Sequence, residues 1–166
     1  LYRNAGEGMA STVKADRNYA RDNYMADLDR RFPDHPYKEQ LRAWRDELLL
    51  ERIESRTGFL QGGLSTIIKP EGEVERGFAL TAKAVAKHLD ENRDRDALAA
   101  WQALSDQFKS IAEKSKDETD RGWYLLAEKR RAELQDEIEG RLKTADEMLR
   151  KAAATQIASQ LPSGTP

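Results

Sequence analysis

The stretch that decides the fold runs from Val74 to Leu134: VERGFALTAKAVAKHLDENRDRDALAAWQALSDQFKSIAEKSKDETDRGWYLLAEKRRAEL. Val74, Phe78, Thr81, Val85 and Leu89 recur at steps of four, three, four and four. That is the helical period, and it gathers one apolar stripe on one face. Glu91-Asn92-Arg93-Asp94 then breaks the pattern, with nothing to bury and with Asn and Asp, which favour turns and caps. A second helix carries Ala97, Trp101, Leu104, Phe108 and Ile111. Glu113 to Asp120 is polar throughout, and Asp117 or Thr119 supplies an N-cap for a third helix from Trp123 through Leu126, Ala127, Leu134 and Ile138. No one of these helices buries its stripe alone, and short loops imply antiparallel neighbours. Trp101 and Trp123 are the large anchors, and Ala97, one turn before Trp101, lets two helices approach closely.

Composition agrees with an all-α reading. Ala, Leu, Glu, Lys, Arg and Asp dominate the 166 residues, and charged side chains make up 35%. The length suits one ordinary domain or two small ones sharing a core. Net charge is −2 with the signs mixed along the chain, so no basic stripe favours nucleic acid. No window approaches the ~20 apolar residues that span a membrane. With no cysteine there are no disulfides and no thiolate metal sites. There is no signal peptide and no initiating Met, so Leu1 reads as the start of an excised fragment.

Toward the N-terminus, residues 1–10 form a short helical piece weakened by Gly6 and Gly8. Ala20, Tyr24, Leu28 and Phe32 line one face of the next helix, which must end before Pro33-Asp34-His35-Pro36. Pro36 suits the first turn of a helix carrying Tyr37, Leu41, Trp44, Leu48 and Ile53, which stops around Arg56-Thr57-Gly58. Residues 57–72, rich in glycine, read as an irregular connection. The domain reading is therefore a first helical unit over 1–56, that connection, a second unit over 73–160 and a tail over 161–166. The last helix runs from about Thr119 to Ser159 as one piece, or as two if it breaks at Gly140. Its stripe continues through Leu142, Ala145, Leu149 and Ala152.

The two units read as a rough duplication. Ala20, Tyr24, Leu28 and Phe32 answer to Ala97, Trp101, Leu104 and Phe108, and Tyr37, Leu41, Trp44 and Leu48 answer to Trp123, Ala127, Arg130 and Leu134. A small residue one turn before an aromatic, with a turn after about two further helical turns, resembles the second helix of a tetratricopeptide repeat. The Trp–Leu-Gly–Tyr set of that repeat's first helix is absent from 74–89, and the 34-residue period is not kept. The expectation is all-α, tetratricopeptide-like hairpins in two similar halves, not a regular array.

A further resemblance covers most of the chain. Leu1-Tyr2 to Met9-Ala10-Ser11, Ala20-Arg21-Asp22-Asn23-Tyr24, Arg31-Phe32-Pro33-Asp34-His35-Pro36-Tyr37 and Glu73 to Trp101 resemble the region C-terminal to the kinase domain in planctomycete serine/threonine protein kinases. The resemblance implies a parent with one membrane span, this region following it on the extracytoplasmic side.

Kinase catalytic motifs are absent: there is no Gly-rich loop with its Val and Lys and no Asp-Phe-Gly, and Asp94-Arg95-Asp96 lacks the His of the catalytic loop. Gly58 to Ser65 has spaced glycines without Gly-Lys-Ser/Thr. His35 lies between prolines as a turn residue, and His88 suits a helix C-terminus. Acid groups such as Asp46 with Glu47, or Glu133 with Asp136 and Glu137, sit among Arg and Lys as ion pairs. No catalytic residue, cofactor or metal ligand is assigned. The expected function is a non-catalytic interaction or sensor module of a membrane-anchored bacterial kinase, binding a protein or peptide through Phe59, Tyr124 and Arg130, with a homodimer as a candidate assembly. The alternatives are a structural spacer or dimerisation domain, built on the stripe from Leu134 to Ala152, and an enzyme of unrecognised type.

Overall fold

The structure, a computed structural model, describes the backbone of residues 1–61, 72–115 and 117–160 and the side chains of 1–57, 72–115 and 117–156. Every element among them is helical: α1 (Tyr2–Met9), α2 (Lys14–Tyr19), a π-helical segment (Ala20–Met25), α3 (Ala26–Arg31), α4 (Lys38–Gln61), α5 (Gly72–Asp90), α6 (Asp94–Lys114) and α7 (Glu118–Gln160). The π-helical segment joins α2 and α3 into one rod.

The ends of the helices follow from local chemistry. Asn92 takes a left-handed conformation with φ 56°. The Arg93 N–H then reaches back to the His88 carbonyl at 2.8 Å, and the Asn92 N–H to the Leu89 carbonyl at 3.0 Å. This is the Schellman closure, for which Asn is the usual substitute for Gly. Asp117 caps α7, its carboxylate accepting the Thr119 N–H at 2.8 Å. At the proline turn, His35 donates its N–H to the Phe32 carbonyl at 3.0 Å. Pro36 stands two residues before the first residue of α4, in the approach to the helix and not in its first turn.

Ion pairs show the relative directions of the helices. Arg17 pairs with Glu51, and Arg45 with Asp29, so the α2–α3 rod runs antiparallel to α4. Asp94 pairs with Arg141 and Ser105 with Glu128, so α6 and α7 are antiparallel. Asp46 pairs with Arg121 and Glu54 with Lys129, a constant separation of 75 residues, so α4 and α7 lie side by side and parallel. The larger core gathers Phe78, Val85, Trp101, Leu104, Phe108, Trp123, Leu126 and Leu134 with Ile53 of α4. Phe78 stands between Trp101 and Trp123, with ring centroids 5.1 and 4.9 Å away. A smaller core holds Ala5, Met9, Met25, Leu28, Leu41 and Leu48. The α4 helix serves both, which is why the chain closes as one body although its sequence divides.

Several expectations change. The helix read as stopping near Arg56 continues through Gln61. Thr57 is accommodated within it, buried with its hydroxyl donating to the Glu54 carbonyl at 2.8 Å. The part of the connection over 62–71 and the tail over 161–166 lie outside the described residues. Gly140 does not break α7, which is one helix of 43 residues. Phe32 and Tyr37, placed on buried stripes by their spacing, are 56% and 40% exposed. Tyr37 instead stacks on Tyr2 with centroids 3.8 Å apart, a contact between α1 and the entry to α4.

Candidate functional site

Of the three residues read from sequence as partner contacts, the structure describes the side chains of Tyr124 and Arg130. The side chain of Phe59, in the last turns of α4, lies outside the described residues. Tyr124 is half-buried and packs against the larger core. Arg130 is half-exposed and bonds Glu133 of its own helix at 2.8 Å. Six positions at 3.6 residues per turn set Tyr124 and Arg130 roughly 120° apart around α7. Asp46 and His35 are taken up structurally, whereas the His88 Nδ1 is buried without a hydrogen-bond partner among the described residues. Asp46 receives two hydrogen bonds from Arg121 at 2.6 and 2.5 Å. The His35 ring is buried, its Nδ1 accepting the Tyr37 N–H at 3.0 Å. Its Nε2 therefore carries the proton and donates to Asp29 at 2.8 Å. Burial alone would raise the Asp29 carboxyl, but the hydrogen bonds from His35 and Arg45 outweigh it and hold the group below the usual carboxylate range.

Two surfaces stand out. One is the free end of α7. Every residue from Glu139 to Gln156 is exposed, and Arg141, paired with Asp94 at the start of α6, marks where the contact with that helix ends. On this overhang Leu142, Met148 and Leu149 are 65, 66 and 71% exposed. Leu142, Ala145, Leu149 and Ala152 follow at steps of three, four and three, a coiled-coil seam without a partner helix among the described residues. The periodicity was legible in the sequence, but its lack of cover was not.

The other is a cleft of about 660 Å³ between the π-helical segment, α4 and the start of α7. Five arginines line it, with three carboxylates. Arg21 is bonded to Asp22 at 2.6 Å and also lies in the field of Glu118. Arg121 is held by Asp46, and Arg45 by Asp29 at 2.5 Å. Arg42 and Arg52 are exposed and make no hydrogen bond or ion pair among the described residues, although the charge of Arg52 reaches Asp117. Sequence reasoning missed the cleft. Its one signal was the spacing of Arg42, Arg45, Leu49 and Arg52 at three, four and three along one face of α4.

Among the described residues no group of three or more His, Asp or Glu side chains is placed to hold a metal ion. No described helix is long and apolar enough to cross a membrane. No family model, no curated protein and no solved structure matches this chain.

Proposed function

We propose that this chain is a non-catalytic helical interaction module that governs how its parent protein associates. The supporting observation is the overhang of α7. Large apolar side chains stand on a helix that has left its own core, where a helix with no partner would carry charge. The seam has the spacing of a two-stranded coiled coil.

The parent we propose is a membrane-anchored bacterial serine/threonine kinase, with this module on the extracytoplasmic side. The segment Arg31 to Tyr37 and the other segments quoted above support that part. In such a parent, a change in the pairing of α7 shifts the geometry of the dimer. Tetratricopeptide-like hairpins in two halves remain our reading of the fold's ancestry. It is supported by the burial of Ala97 one turn before Trp101 and by the antiparallel pairs α2–α3 with α4 and α6 with α7. A second reading, a dimerisation spacer without a ligand, is favoured by the same seam.

The test is the solution mass of residues 1–166 by light scattering across a concentration series. We expect a mass rising toward the dimer, returned to the monomer by Leu142→Glu with Leu149→Glu at unchanged helical circular dichroism. A monomer at every concentration up to about millimolar, where a weak contact of about 4 kcal/mol is half formed, overturns self-association.

A further inference from the structure

We propose that the arginine-lined cleft between the π-helical segment, α4 and the start of α7 binds an extended acidic peptide segment. The charges that shape its walls are already matched: Arg21 to Asp22, Arg121 to Asp46 and Arg45 to Asp29. Those pairs fix the helices and leave little for a ligand. Arg42 and Arg52 differ, being cationic, exposed and without a hydrogen bond or ion pair among the described residues. They stand at the two ends of one stripe of α4, ten residues apart, which is about 15 Å along the helix.

That separation selects the ligand. A single phosphate or carboxylate reaches one arginine and not the other. An extended peptide rises about 3.3 Å per residue and places side chains four positions apart on one face about 13 Å from each other, so two such acids reach both guanidiniums. Each guanidinium offers a fork of donors that fits a carboxylate. Of the lining carboxylates, Asp22 and Asp46 are matched by Arg21 and Arg121, and Glu118 adds a further negative charge. A polyanion with a charge at every unit, such as a nucleic acid strand, meets more repulsion from these groups than a peptide with widely spaced acids does. The π-helical segment that supplies Arg21 and Asp22 is an independent feature, because a helix gives up its regular ladder rarely and often at sites of function. The inference does not depend on self-association through α7.

The experiment is fluorescence anisotropy at low ionic strength with a labelled Gly-Ser peptide carrying two glutamates four positions apart, and with the same peptide carrying glutamines in their place. We expect saturable binding, weakened about tenfold or more by Arg42→Gln with Arg52→Gln, since each lost contact to a charged partner is of that order. Both side chains are exposed and unpaired among the described residues, so the double variant keeps its fold, checked by circular dichroism. Arg150→Gln, outside the cleft, and Leu142→Glu with Leu149→Glu should bind as the parent chain does. The result overturning the proposal is any of four: no binding, equal binding of the glutamine peptide, no loss in the double variant, or displacement by inorganic phosphate or an oligonucleotide at matched charge.

Discussion

Two glycines on one helix, Gly122 and Gly140, should respond in opposite directions to the same substitution. In a helix interior alanine is better than glycine by about 1 kcal/mol, because glycine loses more backbone freedom on folding. At Gly140 an added Cβ meets no atom within 4 Å. The gain therefore stands, and Gly140→Ala should stabilise by about 0.5–1 kcal/mol. At Gly122 the same carbon lands 2.7 Å from Ile53 Cγ1 and 3.0 Å from Leu49 Cγ. Carbon atoms attract best near about 3.5–4.0 Å, so these contacts are repulsive. Neither neighbour swings into solvent, because Ile53 is 2% exposed and Leu49 7%. Relief requires α4 to move off α7, or both side chains to leave their rotamers, at a cost of about 1–3 kcal/mol. Set against the propensity gain, Gly122→Ala should destabilise by about 1 kcal/mol, and the two variants should differ by about 2 kcal/mol. In a chain of this length that is roughly 4–8 °C in Tm. Urea unfolding followed by far-ultraviolet circular dichroism and by tryptophan fluorescence measures it, with Trp123 beside the site. A cycle with Ile53→Ala adds a second check: that truncation should cost less in the Gly122→Ala background, where the added methyl fills part of the space. If Gly122→Ala stabilises as much as Gly140→Ala, α4 and α7 do not touch at this point and the parallel packing described above is wrong.

Other outcomes follow from particular contacts. Glu75 is buried at 2% exposure and accepts two hydrogen bonds from Arg56, at 2.7 and 3.0 Å, across α4 and α5. Glu75→Ala should lower stability by about 1–3 kcal/mol in urea titration, less than for a fully buried pair because Arg56 keeps contact with water. The carboxyls of Asp29 and Glu128 are both held low: burial opposes, and hydrogen bonds from His35 and Arg45 in one case, from Ser105 and Arg131 in the other, outweigh it. A folded-state pKa below the unfolded one stabilises above the unfolded value, near pH ~4, and that contribution is lost as pH falls through the lower folded value. The urea midpoint should therefore hold from neutral pH to about 5 and decline below about 4, less steeply in Asp29→Asn. Trp101→Ala, which empties the space beside Phe78, should cost about 3–5 kcal/mol and leave a less cooperative unfolding transition.

Much of the fold was legible along the chain because helices are local objects. The steps of three and four through Phe78, Val85, Trp101, Leu104 and Phe108 named residues that are buried. Asn92 and Asp117 marked ends that close by hydrogen bonds within a few residues. The same period also placed Phe32 and Leu142 on stripes, and both are exposed. A stripe states which side chains share a face, and only the neighbouring helices decide whether that face is covered.

What the sequence determined by itself is therefore the all-α class, the helical stripes and the caps, all set by contacts between near neighbours in the chain. What only the tertiary structure decided comes from groups far apart in the chain. Asp46 and Arg121 are 75 positions apart, and their pairing sets α4 parallel to α7. Gly122 allows that approach because it has no side chain to meet Ile53. Among the described residues, the same packing leaves Arg42 and Arg52 unmatched at a cleft and the end of α7 bare. No periodicity encodes these features, because each depends on what another segment of the chain does or does not bring to it.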